Sequence, residues 1–563
     1  MIQMKEYTMR RGTTASGRTP ILTLMLAGAG FVSAACGSGD KGAPANGAED
    51  GEAFDLASVT EVLDADGGSL GSVAFPVSCS AEAATTMRRG IALLHHMTFT
   101  EAAGVFETAA EQDPDCALAY WGMAMTPLHP LWPDVPSEQN LERGWVLLQE
   151  ARAVGLQTPR EEGYVTALEA YYRDAADRSE TARLAAYAEG WEQVRVAHPG
   201  DSEATLFAAL SLIATGLGSD DPLPTFEAGG AMAEQVLSQI PDHPGALHYI
   251  IHSYDVPALA PKALSVARTY GKVAPENAHA LHMTSHIFTR VGSWEESIDY
   301  NVRSADAAWN QPINGATSHH HLHAIDYLAY AYLQTGQDDR AEEILDHLVA
   351  LDGPIYDHAA SAYAFAAVES RIALERQDWA RAAAVEPRWP ATVNWVLYPH
   401  LEAIPEFARA LGAAHTGDVE TAERSVARLG ELRAQAATLP DAYDWGTQVQ
   451  IQEVGARAWM AYAAERTDEA VELMTEAATL ESTTTKNPVT PGVVLPANEL
   501  LGDMLLDLGR YDEARAAYET ALTRSPNRLN SLKGAGQAAE LAGDAEAAAE
   551  YERQLEAVVV KGD

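Results

Sequence analysis

Apolar and small residues recur at helical spacing along much of the chain, and the pattern is clearest in residues 495–528. There the spacing predicts two helices joined by a turn at Gly509, with Pro526 ending the second helix. Gly502 is small enough to let the paired helices approach, and the aromatic ring of Tyr518 fills the space between neighbours. The segment therefore predicts one helix–turn–helix unit of a repeat array.

This unit resembles the tetratricopeptide repeat, a helix–turn–helix of about 34 residues. Further copies of the pattern start at residues 83, 244 and 278, at about 322, near 363, 403 and 451, and at 529. The resemblance implies an all-α fold, a right-handed superhelical solenoid of stacked helix pairs with one continuous core. Residues 117–243 show helical patterns without a clear repeat register, and the loop 126–136 interrupts them with four prolines.

The sequence divides into five parts. They are a signal peptide with a lipobox-like cleavage site (1–36), an acidic flexible tether (37–75), N-terminal helical repeats with the proline-rich loop (76–243), histidine-rich repeats (244–355) and C-terminal repeats (356–563).

The N-terminus predicts export from the cytoplasm. Basic residues precede an apolar stretch of 15 residues (21–35), which is the length of a signal peptide core and short for a membrane span. Cys36 follows in a context that resembles a bacterial lipoprotein lipobox, which implies lipidation of Cys36, although Ser33 stands where leucine is usual. We expect a protein anchored in the cell envelope, at the outer membrane or the periplasmic face. The alternative is cleavage after Ala35 and a soluble periplasmic or secreted protein.

The charge balance limits the partners. The chain has 80 acidic and 38 basic residues, a formal net charge of −42. Such a surface repels nucleic acid and anionic lipid. We therefore expect no nucleic-acid partner, and membrane contact only through the N-terminal anchor.

Two cysteines remain if Cys36 is lipidated. Cys79 and Cys116 flank the first helical hairpin, whose ends lie close together, and an exported compartment permits disulfides. The sequence leaves two interpretations open, a Cys79–Cys116 disulfide or two buried thiols.

Six histidines fall on matching positions of three consecutive repeats. They are His248, His252, His279, His282, His286 and His323. Spacings of three and four residues place the histidines of one repeat on one helix face. Imidazoles grouped in this way suit zinc, copper or iron. A groove for an organic or peptide ligand and a structural network of hydrogen-bonded imidazoles are the alternatives.

In the tetratricopeptide family the first helix of each pair lines a concave groove. The resemblance implies this position for the six histidines and for Asp255, Arg290, Asp326 and Tyr330. The aspartates are suited to bind a metal or to orient an imidazole, and Arg290 or Tyr330 to face a ligand. In the proline-rich loop, His129 and Trp132 are placed to cap one end of the groove, and the alternative is that this stiff loop is a structural plug.

The leading interpretation is a cell-envelope scaffold whose groove binds a protein, peptide or small molecule. The alternative is a metalloprotein, with or without catalytic activity, that holds a transition metal in the histidine cluster. Residues 240–345 also resemble the tetratricopeptide-repeat-protein-38-like group through the segment HMTSHIFTRVG, which supports the fold and implies no activity. Linear signatures of common hydrolases, kinases, dehydrogenases and cytochromes are missing from the sequence, so no catalytic residue is assigned.

Overall fold

The computed structural model describes residues 58–560, except for residues 66, 133–134, 220, 441–442 and 488. The predicted signal peptide, the lipidation at Cys36 and most of the predicted tether lie outside the described residues. The described part contains 24 α-helices and one two-stranded sheet. The all-α fold class predicted from the sequence is confirmed.

In the described part of the chain, eight α-helices precede the histidine-rich repeats. The first two form the repeat predicted from residue 83, and the other six lie in residues 117–243, where the pattern has no clear repeat register. The eight helices are α1 (Ala81–His95), α2 (Phe99–Gln112), α3 (Ala117–Met125), α4 (Glu138–Val154), α5 (Pro159–Tyr172), α6 (Glu180–Ala197), α7 (Ser202–Gly216) and α8 (Leu223–Leu237). Cys79 and Cys116 form a disulfide that joins the residues before α1 to the start of α3.

The histidine-rich repeats are three helix pairs. They are α9 (Pro244–Tyr254) with α10 (Ala260–Val273), α11 (Ala278–Val291) with α12 (Trp294–Trp309), and α13 (His319–Gln334) with α14 (Asp338–Ala350). Helix α13 begins three residues before the predicted repeat start at 322, because the Ser318 side chain caps its N-terminus by accepting from the His320 amide.

The C-terminal repeats continue the same stacking. They are α15 (Ala359–Glu375), α16 (Trp379–Ala384), α17 (Pro399–Thr416), α18 (Val419–Ala436), α19 (Trp445–Ala463), α20 (Thr467–Ser482), α21 (Ala497–Asp507), α22 (Tyr511–Arg524), α23 (Leu529–Ala542) and α24 (Ala545–Val558). The first helices of the pairs, from α9 through α23, pack side by side in one inner row. Among the described helices, none is both long enough and apolar enough to cross a membrane.

The prediction of a flexible tether over residues 37–75 is wrong for its last residues, which form two strands. Strands β1 (Thr60–Leu63) and β2 (Ser69–Val73) form an antiparallel hairpin that packs on α1, α9 and α10. Val62, Leu70 and Val73 are buried there, and the Ser72 amide donates to the carbonyl of Asp242. These apolar positions are few and stand among glycine and acidic residues, so the composition hid a short strand pair.

The C-terminal repeats fold back onto the histidine-rich repeats. The indole Nε1 of Trp294 donates to the carbonyl of Asn527 at 2.9 Å, and α23 packs against α13. Thr490, in the loop between α20 and α21, lies against the inner row, where its carbonyl accepts from the Tyr327 hydroxyl. The inner row is therefore interior at these repeats rather than an open groove.

Candidate metal centre

Helix α11 lies between α9 and α13 and brings the six predicted histidines together in two groups of three. The α9 triad is His248, His252 and His279, and the α13 triad is His282, His286 and His323. Within each triad, one ring nitrogen per residue lies within 4.8 Å of the other two. Helix α11 is buried from Ala278 to Arg290, so its polar face is as enclosed as its apolar face.

In the α13 triad, the Nε2 atoms of His282 and His286 face each other at 3.0 Å. The opposite nitrogen of each ring already has a partner. His282 Nδ1 lies 2.8 Å from Asn301 Oδ1, and His286 Nδ1 lies 3.0 Å from Asp255 Oδ2. The Asn301 amide nitrogen donates to the carbonyl of Ser297 at 2.8 Å, which turns the amide oxygen toward His282.

These partners decide where the protons lie. An amide oxygen and a carboxylate oxygen only accept, so His282 and His286 both donate through Nδ1–H, and both neutral rings present an Nε2 lone pair. Two lone pairs at this distance repel unless a cation joins them. A metal ion with tetrahedral bonds of about 2.0–2.1 Å would hold two ligand nitrogens about 3.3 Å apart, which is close to the observed spacing.

Asp255 anchors this arrangement at the end of α9. Its Oδ1 accepts from Arg290 Nε at 2.7 Å, and Lys486 Nζ lies 3.5 Å from its Oδ2. Burial alone would raise the pKa of Asp255, but the charges of Lys486 and Arg290 hold that pKa well below its usual value. The carboxylate is therefore ionised and can only accept from His286.

Protonation does not relieve the repulsion between the two rings. Burial lowers the pKa of His282 and of His323 well below the usual value, and the pKa of His286 is also lowered despite the nearby Asp255 carboxylate. A proton shared between His282 and His286 would place a positive charge on a ring that burial keeps neutral.

The α9 triad follows the same logic. His248 Nδ1 donates to the carbonyl of His95 at 2.6 Å, which leaves Nε2 as a lone pair. Within the described part of the chain, this Nε2, the Nε2 of His252 and both ring nitrogens of His279 find no hydrogen-bond partner. Burial lowers the pKa of His252 to about 3. Three neutral imidazoles thus bring unpaired nitrogens together inside the protein.

Both triads open into one cavity. Histidines of the α9 triad (His252 and His279) and of the α13 triad (His286 and His323) line it. Trp132 borders the cavity as well, with its ring centroid 5.6 Å from that of His279. His129, which was predicted to cap the groove beside Trp132, instead stacks on Phe99 at 4.1 Å.

The four other predicted groove residues are all buried. Asp255, Arg290, Asp326 and Tyr330 are 4%, 7%, 1% and 2% exposed. Arg290 pairs with Asp255, Asp326 lies 3.4 Å from Arg371 Nε, and the Tyr330 hydroxyl accepts from Arg528 at 3.3 Å. Their polar groups therefore face side chains of the same chain, and a role in ligand binding stays a prediction.

A third cluster, which the sequence analysis missed, differs from the triads because its ring nitrogens all have hydrogen-bond partners. His95 and His243 each place Nε2 on a different oxygen of Glu203, at 2.6 and 3.0 Å. His95 Nδ1 meets the Tyr249 hydroxyl, and His243 Nδ1 accepts from the Gly245 amide. Every ring nitrogen in this cluster has a partner of the right kind, which is a structural network rather than a metal site. Residues from α1, α7 and the N-cap of α9 form it, so no local spacing could indicate it.

Comparisons with known proteins support the repeat type. The chain matches the tetratricopeptide repeat family over residues 496–528, which confirms the repeat predicted from 495 to 528. No curated protein matches the sequence.

Solved structures that resemble the chain are helical repeat proteins of low identity. The human IFIT1 dimer with PPP-AAAA has 14% identity and a TM-score of 0.37, with 78% of this chain and 90% of that chain covered. The P58(IPK) TPR domain has 14% identity and a TM-score of 0.19, with 83% and 99% covered. Naa15/Naa10 bound to HypK-THB has 12% identity and a TM-score of 0.23, with 84% and 70% covered. Similarity at this level carries no inference about what this chain binds.

Proposed function

We propose that this chain is a metalloprotein that holds two transition-metal ions in its interior, one in each triad. The contact that carries the proposal is the 3.0 Å approach of the Nε2 atoms of His282 and His286. Their Nδ1 atoms already donate to Asn301 and Asp255. A metal ion accepts both lone pairs, and a hydrogen bond from the far nitrogen to an amide or carboxylate oxygen is the usual way to orient a ligating histidine.

The ligand set favours zinc or copper. Each triad offers three imidazoles and no carboxylate, because Asp255 uses its oxygens on His286 and Arg290. Non-haem iron sites typically add a carboxylate to two histidines, whereas imidazole alone suits zinc and copper. Iron, which the sequence left open, is therefore less suited to this site.

Three protein ligands leave a further coordination position for each ion, as catalytic zinc sites do. Histidines of both triads line the same cavity, so the further coordination positions of the two ions would face this cavity. His279 and His282 are three residues apart on α11, and Cβ atoms at that spacing are about 5–6 Å apart, so the two ions would be neighbours. The chain supplies the imidazoles and their largely buried surroundings, and a bound metal would supply Lewis-acid or redox chemistry.

The direct test is the metal content of the exported chain, purified without a polyhistidine tag and measured by plasma mass spectrometry. We expect two zinc or copper ions per chain. His282→Ala/His286→Ala should lose the ion of the α13 triad and keep one, and His248→Ala/His252→Ala should lose the other.

The chain offers a matched control for these variants. His321 and His347 also place their Nε2 atoms 2.9 Å apart, but only His321 has its Nδ1 engaged, by the carbonyl of Ala305. His347 is therefore free to donate through Nε2–H, and the pair is satisfied without a metal. His321→Ala/His347→Ala should keep both ions. A wild-type chain that stays metal-free after reconstitution, or equal metal loss in all three variants, would contradict the proposal.

A protein-binding scaffold is the second candidate, and the C-terminal repeats favour it. An open groove of about 500 Å³ lies among these repeats and is lined in part by the segment that matches the tetratricopeptide repeat. Trp379, His415 and Trp459 stack along it, with ring centroids 3.8 and 4.4 Å apart. A photo-crosslinker at Gln537 in the groove should capture one envelope protein that a crosslinker at the exposed Glu552 does not. Identical products from both positions would refute this candidate.

We also infer that the protein works in the cell envelope. The disulfide between Cys79 and Cys116 supports an oxidising compartment, and the lipobox-like context of Cys36 supports a lipid anchor. Membrane fractionation tests the anchor, because Cys36→Ser should move the protein from the membrane to the soluble fraction. The resemblance of residues 240–345 to the tetratricopeptide-repeat-protein-38-like group stays a prediction.

A further inference from the structure

The cavity shared by the triads is apolar apart from its imidazoles. Leu131, Trp132, Met283, Ala360 and Val489 line it together with histidines. Lysine, arginine and carboxylate side chains are absent from this lining within the described residues. The side chains of the lining would offer a charged molecule no ion pair in return for its lost hydration. The cavity therefore favours a neutral and largely apolar occupant.

His319 adds one polar feature to these walls. It belongs to neither triad, lies in the first turn of α13 and is 7% exposed. In the described structure neither of its ring nitrogens has a hydrogen-bond partner. Burial lowers the pKa of His319 well below its usual value, so the ring is neutral and offers one donor and one acceptor.

Flat rings surround this position. The His319 ring lies 5.3 Å from Trp132, 4.3 Å from His358 and 5.3 Å from Tyr356 between centroids. Aromatic walls favour an aromatic guest, because ring pairs at such separations gain from stacked and edge-to-face contacts beyond simple burial. A buried nitrogen that lacks a partner disfavours a pure hydrocarbon, since the guest would leave that nitrogen unpaired.

We propose that this cavity binds a small neutral phenol, with the ring against Trp132 and the hydroxyl hydrogen-bonded to His319. This inference rests on the proposed function in one respect only, because it makes the phenol the molecule presented to the metal ions. The hydrogen bond to the phenol depends on His319 and the ring contact on Trp132, and neither residue belongs to a triad. Four proposed metal ligands, His252, His279, His286 and His323, line the same cavity.

Calorimetric titration of the metal-loaded chain tests the proposal with three probes of matched shape. They are 4-methylphenol, toluene and 4-methylbenzoate. We expect 4-methylphenol to bind once per chain, about tenfold more tightly than toluene, which is the effect of one net hydrogen bond. In chelator-treated chain, whose cavity walls carry no cation, the benzoate should bind more weakly than the phenol. Equal affinity for the phenol and toluene, or tighter binding of the benzoate by the chelator-treated chain, would overturn the proposal.

His319→Leu assigns the hydrogen bond. It should reduce the affinity for 4-methylphenol by about tenfold and leave that for toluene unchanged. The control His321→Leu removes an imidazole two residues away, whose ring nitrogens meet Ala305 and His347, and should change neither affinity. A His319→Leu chain that keeps the full preference for the phenol would refute the role of His319. If His319→Leu fails to fold, Ala360→Leu is the second variant, because its side chain fills the cavity from α15. It should lower the affinity for both 4-methylphenol and toluene, and unchanged affinities would overturn the site.

The same titration on chelator-treated chain separates this proposal from the proposed function. A chain that binds the phenol but takes up no metal on reconstitution would support the cavity and contradict the metalloprotein. Stoichiometric metal with no preference for the phenol would support the metalloprotein and overturn the cavity assignment.

Discussion

Asn301 offers the sharpest test of how the α13 triad is organised. Its amide oxygen accepts from His282 Nδ1 at 2.8 Å and from the Ser285 hydroxyl at 3.2 Å. Its amide nitrogen donates to Ser297, so the orientation of the group is fixed by the helix on which it lies. Replacement of Asn301 by leucine would remove the acceptor and let the proton of His282 move to Nε2, where it blocks metal binding.

The size of this effect follows from the role of the hydrogen bond. Loss of an outer hydrogen bond to a ligating histidine typically lowers metal affinity by about 10–100-fold. This corresponds to about 1.4–2.8 kcal/mol of binding free energy. We expect Asn301→Leu to lower the metal affinity of the α13 triad by this factor. The metal affinity of the α9 triad should stay unchanged. Asn301→Asp keeps an oxygen facing His282 and should retain most of the affinity.

Competition with a chromogenic chelator measures the two affinities separately from stability, which thermal denaturation follows in the same samples. Ser304→Ala is the matched control, because Ser304 lies on the same helix and donates a buried hydrogen bond to the carbonyl of Ala278 at 2.7 Å. It should lower stability without changing either metal affinity. An Asn301→Leu chain that binds both ions as tightly as the wild type would refute the proton assignment on which the metal site rests.

Three further predictions concern stability. Cys79→Ser/Cys116→Ser opens a crosslink between residues 37 apart and should lower the free energy of unfolding by about 2–4 kcal/mol in urea titrations; an unchanged midpoint would contradict this. Gly292 and Gly417 both adopt positive φ, but a Cβ on Gly292 would lie 2.3 Å from the carbonyl oxygen of Pro526. Gly417→Ala should therefore lower the free energy of unfolding by about 1–2 kcal/mol, and Gly292→Ala should lower it clearly more. Equal losses would argue against the close approach of Gly292 to the Pro526 carbonyl. Burial, then the charge of Glu499, raises the pKa of Asp503 to about 7. The folded chain therefore holds this proton more tightly than the unfolded chain does. Ionisation of Asp503 lowers the free energy of unfolding, and this loss grows as the pH rises from about 4 to about 7. Asp503→Asn should raise the free energy of unfolding at pH 8 by about 1–2 kcal/mol, after allowance for the partial exposure of Asp503, and by much less at pH 4. An effect that does not depend on pH would refute the raised pKa of Asp503.

The helices and the histidine clusters were accessible from the sequence because both depend on local spacing. Periodic small and aromatic positions mark the helix pairs, and spacings of three and four residues place His279, His282 and His286 on one face of α11. The repeat period then aligns this face with the histidines of α9 and α13. Each step uses residues that are close in sequence or separated by a fixed repeat length.

Contacts between distant repeats could not be found in this way. Tyr327 meets Thr490 across 163 residues, and Arg528 meets Tyr330 across 198. Such contacts depend on how far the superhelix turns before its C-terminal repeats return to the central ones. That turn is the sum of small rotations at every repeat, and no single motif encodes it. The enclosure of the predicted groove is therefore a property of the whole array.

Enclosure changes what the polar residues of the inner row require. In an open groove, water would satisfy them, but in the interior each charge needs a partner. The acidic and basic residues have such partners: Asp255 pairs with Arg290, and Arg528 binds Glu375 and Glu499.

The two triads depart from this pattern. Neutral imidazoles collected only to fill space would be expected to pair donor with acceptor, as His321 and His347 do. His282 and His286 instead turn both lone pairs inward and direct both protons outward. Such an arrangement is unfavourable in an empty interior and favourable around a cation, so the energetic cost of this arrangement is itself the argument for a bound metal.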